Sequence, residues 1–253
     1  MRKVMSRVAS IFFLCYTVCM TVTKLADAKE DFDHWLEIRR GYLSSSEIFT
    51  WREEFTRETD WWEDRREDVI FVKNGGEKEF DSETVTSMLH GSHDEENIMR
   101  KFGVAAGCMV NPENGFYVND CWPMLGASID GWGSVDYGLE PVPEYSHDRA
   151  LFPHIHEVIN EHGGDFLLEI KKSTSTKWQT KCPDYYWTQV QTQLAILEAP
   201  LAIITAECIH KGDKQKWRMY WDQRAYVIEP DPSWPEEMDK MNAEALDAFG
   251  GVC

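Results

Sequence analysis

A short apolar segment with charged residues at alternating positions constrains this chain most. Residues 166–171 read Phe-Leu-Leu-Glu-Ile-Lys, so a carboxylate and an ammonium group lie two positions apart. Because alternate residues of a strand project from the same face, a strand here places Glu169 and Lys171 on one face and Leu168 and Ile170 on the other. The sequence therefore predicts a strand with one apolar face and one polar, chemically active face.

A second acid upstream gives this strand a chemical meaning. Asp130 lies in the segment Ser128-Ile-Asp-Gly131. Carboxylates bind Mg²⁺, and a bound ion and a lysine together can orient water and offset the charge that develops on a phosphate during phosphodiester cleavage. An Asp…Glu-x-Lys pattern alone is more often a set of solvated charges than a site, so this interpretation needs support from other motifs.

Five motifs in a fixed order supply that support. They are residues 35–48 (WLEIRRGYLSSSEI), 91–98 (GSHDEENI), 125–131 (LGASIDG), 168–171 (LEIK) and 186–191 (YWTQVQ). Together they resemble the YqaJ-type viral recombinase family, which includes the phage lambda exonuclease, over about residues 35–200. The resemblance implies an α/β, restriction-endonuclease-like PD-(D/E)xK core, in which helices flank a small central mixed sheet.

The resemblance also implies a metal site. Asp130 and Glu169 match the central metal-binding acids, and the carbonyl of Ile170 is the expected additional ligand. Glu95 matches the first acid of the family pattern and would contribute directly or through water, although the adjacent Glu96 is an alternative. The implied cofactor is Mg²⁺, with Mn²⁺ as a substitute.

Other positions are assigned by the same resemblance. Lys171 would orient or help to deprotonate the attacking water, and Gln189 would lie near the metal. Arg39 and Ser46 match positions that bind a terminal 5′ phosphate. The implied activity is a 5′-to-3′ exonuclease that digests linear double-stranded DNA in phage-type homologous recombination. The implied partners are DNA ends, a single-strand annealing protein and further copies of the chain in a homotrimer; an endonuclease of the same fold is the alternative enzyme.

One spacing departs from the family pattern. Thirty-eight residues separate Asp130 from Glu169, where close relatives have a short hairpin. Glu140 would restore the short spacing, but Pro141-Val-Pro143 follows it, and proline cannot donate to a sheet ladder. Glu169 is therefore preferred as the second acid, and residues 141–164 are interpreted as an insertion.

Charge and length set the outer limits. The chain has 253 residues without a long linker or a repeat, which favours a single nuclease domain over residues 29–253. Its 26 basic and 44 acidic residues give a formal net charge of −18, which is unusual for a DNA-binding protein. A basic groove would have to come from scattered cations, for which the candidates are Arg39, Arg40, Lys172, Lys177 and Lys181.

The first 28 residues allow two interpretations. A basic start, an apolar run over residues 8–22 and Ala26-Asp-Ala28 resemble a secretory signal, and a secreted acidic binding protein without catalysis is the corresponding alternative. A DNA recombination nuclease instead implies an intracellular location, in the host cytoplasm if phage-encoded, with residues 1–28 as a leader or peripheral extension. The apolar run is too short and interrupted for a membrane-spanning helix, so no stable membrane association is expected.

Hydrophobic periodicity and turn residues predict the remaining elements. Helices are expected at 45–51, 91–102, 151–159 (ended by Gly163-Gly164), 185–198 and 234–249, and strands at 115–118, 124–128, 202–208 and 217–227. In the helix over 185–198, Gln189 and Gln193 lie four residues apart and share a face. His154, His156 and His162 are interpreted as solvated residues, because their spacing completes no metal motif.

Overall fold

A computed structural model of the chain describes residues 21–52, 60–77, 95–135, 139–142, 151–173, 178, 181–209 and 221–249. The predictions for residues 1–20, for the start of the 91–102 helix and for Lys177 lie outside these described residues. So does the start of the strand predicted at 217–227.

The described residues form six α-helices and nine strands. The α-helices are α1 (Phe32–Arg40), α2 (Asp60–Lys73), α3 (95–106), α4 (Leu151–Glu161), α5 (Asp184–Leu197) and α6 (Trp234–Phe249). The strands are β1 (Val22–Asp27), β2 (Leu43–Ser44), β3 (Cys108–Pro112), β4 (Gly115–Asn119), β5 (Leu125–Ser128), β6 (Gly131–Val135), β7 (Asp165–Ser173), β8 (Ala202–Ile209) and β9 (Trp221–Ile228). No helix among the described residues is long and apolar enough to cross a bilayer.

The strands form two mixed sheets. The larger sheet has the order β3-β6-β7-β8-β9, in which β7 and β8 are parallel and the other pairs antiparallel. The smaller sheet has the order β1-β4-β5-β2, and only β2 and β5 are parallel. The predicted mixed sheet flanked by helices is confirmed, and the smaller sheet is an addition to it.

The central strand β7 has the two-faced character that its sequence predicts. Leu168 and Ile170 belong to a buried cluster with Phe102 of α3 and Phe152 of α4. On the opposite face, Leu167 packs with residues of α5. Helix α5 therefore covers the face of β7 from which Glu169 and Lys171 project.

The predicted insertion contributes to the core. Helix α4 forms where the sequence predicts it and buries Phe152, Ile155 and Ile159 completely or almost completely. It ends at Gly163 and Gly164, whose φ angles of 93° and 91° are in the region that favours glycine. Helix α4 thus packs on one face of the larger sheet.

The helix predicted over residues 45–51 is shorter than expected. A 3₁₀ helix spans Ile48–Trp51, and no described side chain caps it. Ser44 belongs to β2, and its hydroxyl and N–H both donate to the carboxylate of Glu47. Because Glu47 is held by this turn, the chain enters the helix only after it.

Strand β1 begins ahead of residue 29. Its residues Val22–Asp27 pair antiparallel with β4, and Lys24 forms salt bridges with Asp27 and Glu113. The smaller sheet therefore includes residues that a domain boundary at residue 29 would leave out.

Candidate active site

The polar face of β7 lies against α5, where it forms a buried cluster around Glu169. Only 2% of Glu169 is exposed. Its Oε1 accepts a hydrogen bond from Nε2 of Gln189 at 2.6 Å, and its Oε2 accepts one from Nε2 of Gln193 at 2.6 Å. Lys171 donates to Oε1 as well and lies over the ring of Tyr186. Both carboxylate oxygens are therefore held in place, as a buried charge requires.

Asp130 joins this cluster from the neighbouring strand. It lies between β5 and β6, and its Oδ2 accepts a hydrogen bond of 2.6 Å from the backbone N–H of Ile170. Gln193 donates to the carbonyl of Ser128 at 2.7 Å, which fixes the chain just ahead of Asp130. Pairing of β6 with β7 therefore brings Asp130 and Glu169 together despite the long segment between them.

The electrostatics of the cluster are dominated by buried negative charge. Burial and the nearby Glu169 raise the pKa of Asp130 well above its ordinary value, although Lys171 acts in the opposite direction. Burial alone would lower the pKa of Lys171, but Glu169 and Asp130 raise it above the ordinary lysine value. Without a cation, Lys171 is thus charged at neutral pH while Asp130 resists ionisation.

Glu95 lies at the start of α3 and is coupled to the same charges. Its side chain is half-buried, whereas the adjacent Glu96 is exposed. Burial and Glu169 raise the pKa of Glu95, and Lys171 lowers it. This position agrees with the choice of Glu95 over Glu96 as the first acid, and its role stays a prediction.

The donor atoms of the cluster suit a hard divalent cation. Among the described residues, no group of three or more His, Cys, Asp or Glu side chains is arranged to hold a metal ion. An ion would therefore depend on Asp130, Glu169, backbone carbonyls and water, with Glu95 acting through water. Since the N–H and C=O of one strand residue point to the same side, the carbonyl of Ile170 faces the same side as Asp130. Mg²⁺ and Mn²⁺ prefer oxygen ligands, and either ion would offset the repulsion between the two carboxylates.

A second polar cluster surrounds Arg39 at the end of α1. We call the residues Arg39, Ser44, Ser46, Glu47 and Lys73 the anion pocket. The Nη2 atom of Arg39 donates to Oγ of Ser46 at 2.8 Å and to Oγ of Ser44 at 3.2 Å. The predicted pair of Arg39 and Ser46 is therefore brought together, with Ser44 as a residue that the sequence argument missed.

Behind this pair lies a buried ion pair. Lys73, the last residue of α2, has a side chain that is only 2% exposed and lies 2.9 Å from Oε2 of Glu47. It also donates to the carbonyl of Arg39 at 3.0 Å. Lys73 follows Arg39 by more than thirty residues, and only its burial identifies it as part of the pocket.

Several other polar residues prove to be structural. Gln191 donates to the carbonyl of Glu229 and accepts from the N–H of Asp231, so it anchors α5 to the chain after β9. His156 bonds to the carbonyl of Ala106, and His162 lies 3.4 Å from the Glu229 carboxylate. His156 and His162 are thus each engaged by a neighbouring group of the chain.

Glu140 lies away from the Asp130 cluster. Its side chain is exposed, and its backbone lies against Gly107, where a Cβ atom would come within 2.8 Å of the Glu140 carbonyl carbon. Gly107 also has a positive φ of 64°, so this close approach accounts for glycine there.

The fold is restriction-endonuclease-like and is similar to that of solved exonucleases. An alkaline exonuclease (LHK-Exo) from Laribacter hongkongensis gives a TM-score of 0.57 at 16% identity over 87% of this chain and 93% of that chain. The same enzyme in complex with dAMP gives 0.55 at the same identity and coverage. A phage related exonuclease from Haemophilus somnus 129PT gives 0.52 at 12% identity over 83% of this chain and 94% of that chain.

A match to a protein-family model identifies the family of this chain. The model of the YqaJ-like viral recombinase domain matches residues 34–200, about two thirds of the chain. This chain belongs to that family, which confirms the resemblance inferred from its five motifs. No curated protein sequence matches it.

Proposed function

We propose that this protein is a divalent-metal-dependent deoxyribonuclease that degrades linear double-stranded DNA from its 5′ end. The observation that carries the proposal is the buried cluster of Asp130, Glu169 and Lys171, sealed by Gln189 and Gln193. Membership of a viral recombinase family and a fold shared with exonucleases support the same activity.

The residues of the cluster divide the chemistry between them. Asp130, Glu169 and the Ile170 carbonyl would hold the ion, which when bound polarises the scissile phosphate and the attacking water. Gln189 and Gln193 fix the rotamer of Glu169, so that its carboxylate needs no rearrangement during the reaction. Lys171 contributes positive charge beside the developing phosphorane, and it orients the attacking water or accepts its proton.

The anion pocket supports the proposed 5′-to-3′ polarity of degradation. A terminal 5′ phosphate carries more charge than an internal diester, and a guanidinium with hydroxyl groups is suited to bind it. Arg39 and Ser46 provide that combination. Binding at the 5′ end would favour 5′-to-3′ degradation by the Asp130 cluster.

The context of the activity follows from the family. We propose an intracellular role in phage-type recombination, with a single-strand annealing protein as partner and a homotrimer as the assembly. With a net charge of −18, the protein should bind DNA through local positive potential, and this binding should weaken steeply as salt rises.

Three DNA forms test the proposal directly. Purified protein is incubated with linear, nicked and covalently closed circular duplexes in Mg²⁺, in Mn²⁺ and in EDTA. We expect linear DNA to be degraded to nucleotides in either metal, closed circles to survive, and EDTA to stop the reaction. Cleavage of closed circles would instead indicate an endonuclease, and degradation in EDTA would contradict metal dependence.

A further inference from the structure

The buried Lys73 needs a physical explanation, because a lysine is rarely found with so little exposure unless it is paired. Its ammonium contacts the Glu47 carboxylate and the Arg39 carbonyl. Both contacts lie in the anion pocket, although Lys73 comes from a different helix than Arg39. An apolar side chain at this position could stabilise the fold equally well. The presence of a charged side chain therefore needs a separate explanation.

The hydrogen-bond directions in the pocket show what the charge does. Ser44 donates its only hydroxyl proton to Oε2 of Glu47 at 2.7 Å, so towards Arg39 it can only accept. The two serine oxygens lie 3.2 Å apart, and Ser46 accepts from Arg39 at 2.8 Å. Because the Ser44 proton goes to Glu47, Ser46 is the donor in the contact between the two serines. Its hydroxyl proton would turn from Ser44 to a phosphate oxygen when an end binds.

The same arrangement determines what Arg39 is free to bind. No carboxylate of the described residues forms an ion pair with Arg39, although Glu47 lies close enough to influence it electrostatically. Lys73 and Ser44 both contact Oε2 of the Glu47 carboxylate, and Lys73 offsets its charge. If Lys73 were absent, Glu47 would be an unpaired, partly buried carboxylate next to a guanidinium, and an Arg39–Glu47 pair would be its nearest relief.

We propose that Lys73 is a positioning residue for 5′-phosphate binding, which neutralises Glu47 so that Arg39 stays beside Ser44 and Ser46 and is not drawn to the carboxylate. This inference rests on the end-recognition part of the proposed function. It adds that specificity for a phosphorylated end depends on a buried ion pair that does not itself touch DNA.

The test measures the affinity of the full-length protein in Ca²⁺ for one duplex with either a 5′ phosphate or a 5′ hydroxyl. The ratio of the two dissociation constants isolates the pocket from the rest of the DNA contact. Lys73→Met should reduce the wild-type ratio by roughly threefold to tenfold, about the effect of weakening one hydrogen bond to a charged group. Lys73→Arg, which keeps the charge, should retain part of the preference.

A double variant distinguishes neutralisation from packing. In Lys73→Met combined with Glu47→Gln, no carboxylate is left to capture Arg39, so the ratio should recover most of the loss seen in Lys73→Met. Lys101→Met is the matched control, because Lys101 also pairs with a buried carboxylate, Glu207 at 2.8 Å, away from the pocket. Its ratio should equal that of the wild type.

The outcomes separate this inference from the proposed function. A wild-type ratio in Lys73→Met, or no recovery in the double variant, would overturn the role of Lys73. A wild-type ratio near one would overturn 5′-phosphate recognition by the pocket as a whole. A clear wild-type preference for phosphate in a protein that fails to cut DNA would leave the inference standing and remove the nuclease. Thermal melting of each variant shows whether it is folded. If Lys73→Met does not fold, Lys73→Arg and the double variant still test the proposal.

Discussion

The Asp130 cluster and the anion pocket both bury charged groups, but acidic groups predominate in the cluster and basic groups in the pocket. The cluster combines the carboxylates of Asp130, Glu169 and Glu95 with one lysine, Lys171, so it has an excess of negative charge. The pocket places two cations, Arg39 and Lys73, around one carboxylate, Glu47, so its excess is positive. One site is electrostatically incomplete without a cation and the other without an anion.

The two sites also differ in how the chain builds them. The Asp130 cluster depends on strand register, because β7 presents Glu169 and Lys171 on one face and its pairing with β6 aligns Asp130. The anion pocket depends on the meeting of two helix ends with a short strand. Under the proposed function, the chemistry would depend on the register of one sheet, and end recognition on the packing of separate elements.

The largest expected effect is the loss of cleavage when an acid of the cluster is neutralised. Asp130→Asn or Glu169→Gln should reduce the rate of DNA degradation by roughly 10³-fold or more, because each removes a proposed ligand of the ion. In EDTA Asp130→Asn should melt at the wild-type temperature or higher, since repulsion between buried carboxylates is relieved and the asparagine oxygen can still accept from Ile170. Glu140→Gln is the control and should remain active. Full activity in either acid variant would remove the cluster from the mechanism.

The next largest effect concerns Lys171, which should behave differently from a simple charge. If it accepts the proton of the attacking water, Lys171→Arg should lower the cleavage rate by roughly 10²-fold and change its dependence on pH, because arginine stays protonated. If it only orients water, arginine should retain part of the rate with an unchanged pH profile. DNA binding in Ca²⁺ should survive in both cases. Wild-type cleavage by Lys171→Ala would exclude the lysine altogether.

A smaller effect is expected from the pocket, and on preference more than on chemistry. Arg39→Ala should reduce the preference for 5′-phosphorylated over 5′-hydroxyl ends by roughly tenfold, and Arg39→Lys should restore it in part because lysine lacks the planar fork. The relative rates of degradation of the two duplexes provide the measurement. Arg66→Ala is a close control, since Arg66 lies over the ring of Trp51 as Arg39 lies over the ring of Trp35, but outside the pocket. An equal preference in Arg39→Ala and wild type would leave Arg39 as a structural residue.

The smallest effect is on stability in acid. Burial would raise the pKa of Glu47, but Lys73 and Arg39 lower it below the ordinary value of 4.5. Because the folded-state pKa is the lower one, this stabilisation is present above about pH 4.5 and is lost as pH falls through the folded-state value. Glu47→Gln should therefore flatten the fall in unfolding free energy over this acidic range. If the unfolding free energies of variant and wild type fell in parallel from pH 5 to pH 3, the lowered pKa of Glu47 would be contradicted.

The elements that periodicity defines could be predicted from the sequence. Alternation in residues 166–171 gives the strand and its active face, and the helix that carries Gln189 and Gln193 follows from its apolar spacing. The predicted start of the early helix at residue 45 was wrong, because hydrogen bonds from the side chain and backbone of Ser44 to Glu47 delay the helix to Ile48. Local competition of this kind is not visible in a hydrophobic pattern.

Contacts between distant segments could not be predicted in the same way. Nothing in the sequence connects Lys73 with Arg39, since their contact requires the packing of α2 beside the end of α1. The sequence also gave no sign that the 141–164 segment buries Phe152 and Ile155 in the core. Family motifs located Asp130, Glu95 and Arg39, but the residues that support them became apparent only from burial and hydrogen bonding.

The central claim is that the buried pair of Asp130 and Glu169 is a binding site for a divalent ion. Calorimetric titration of Mg²⁺, and of Mn²⁺ in parallel, into wild-type protein and into Asp130→Asn tests it most directly. We expect saturable binding of both ions by the wild type and loss of that binding in the variant. Equal binding by the two proteins, or none by a folded wild type, would contradict it.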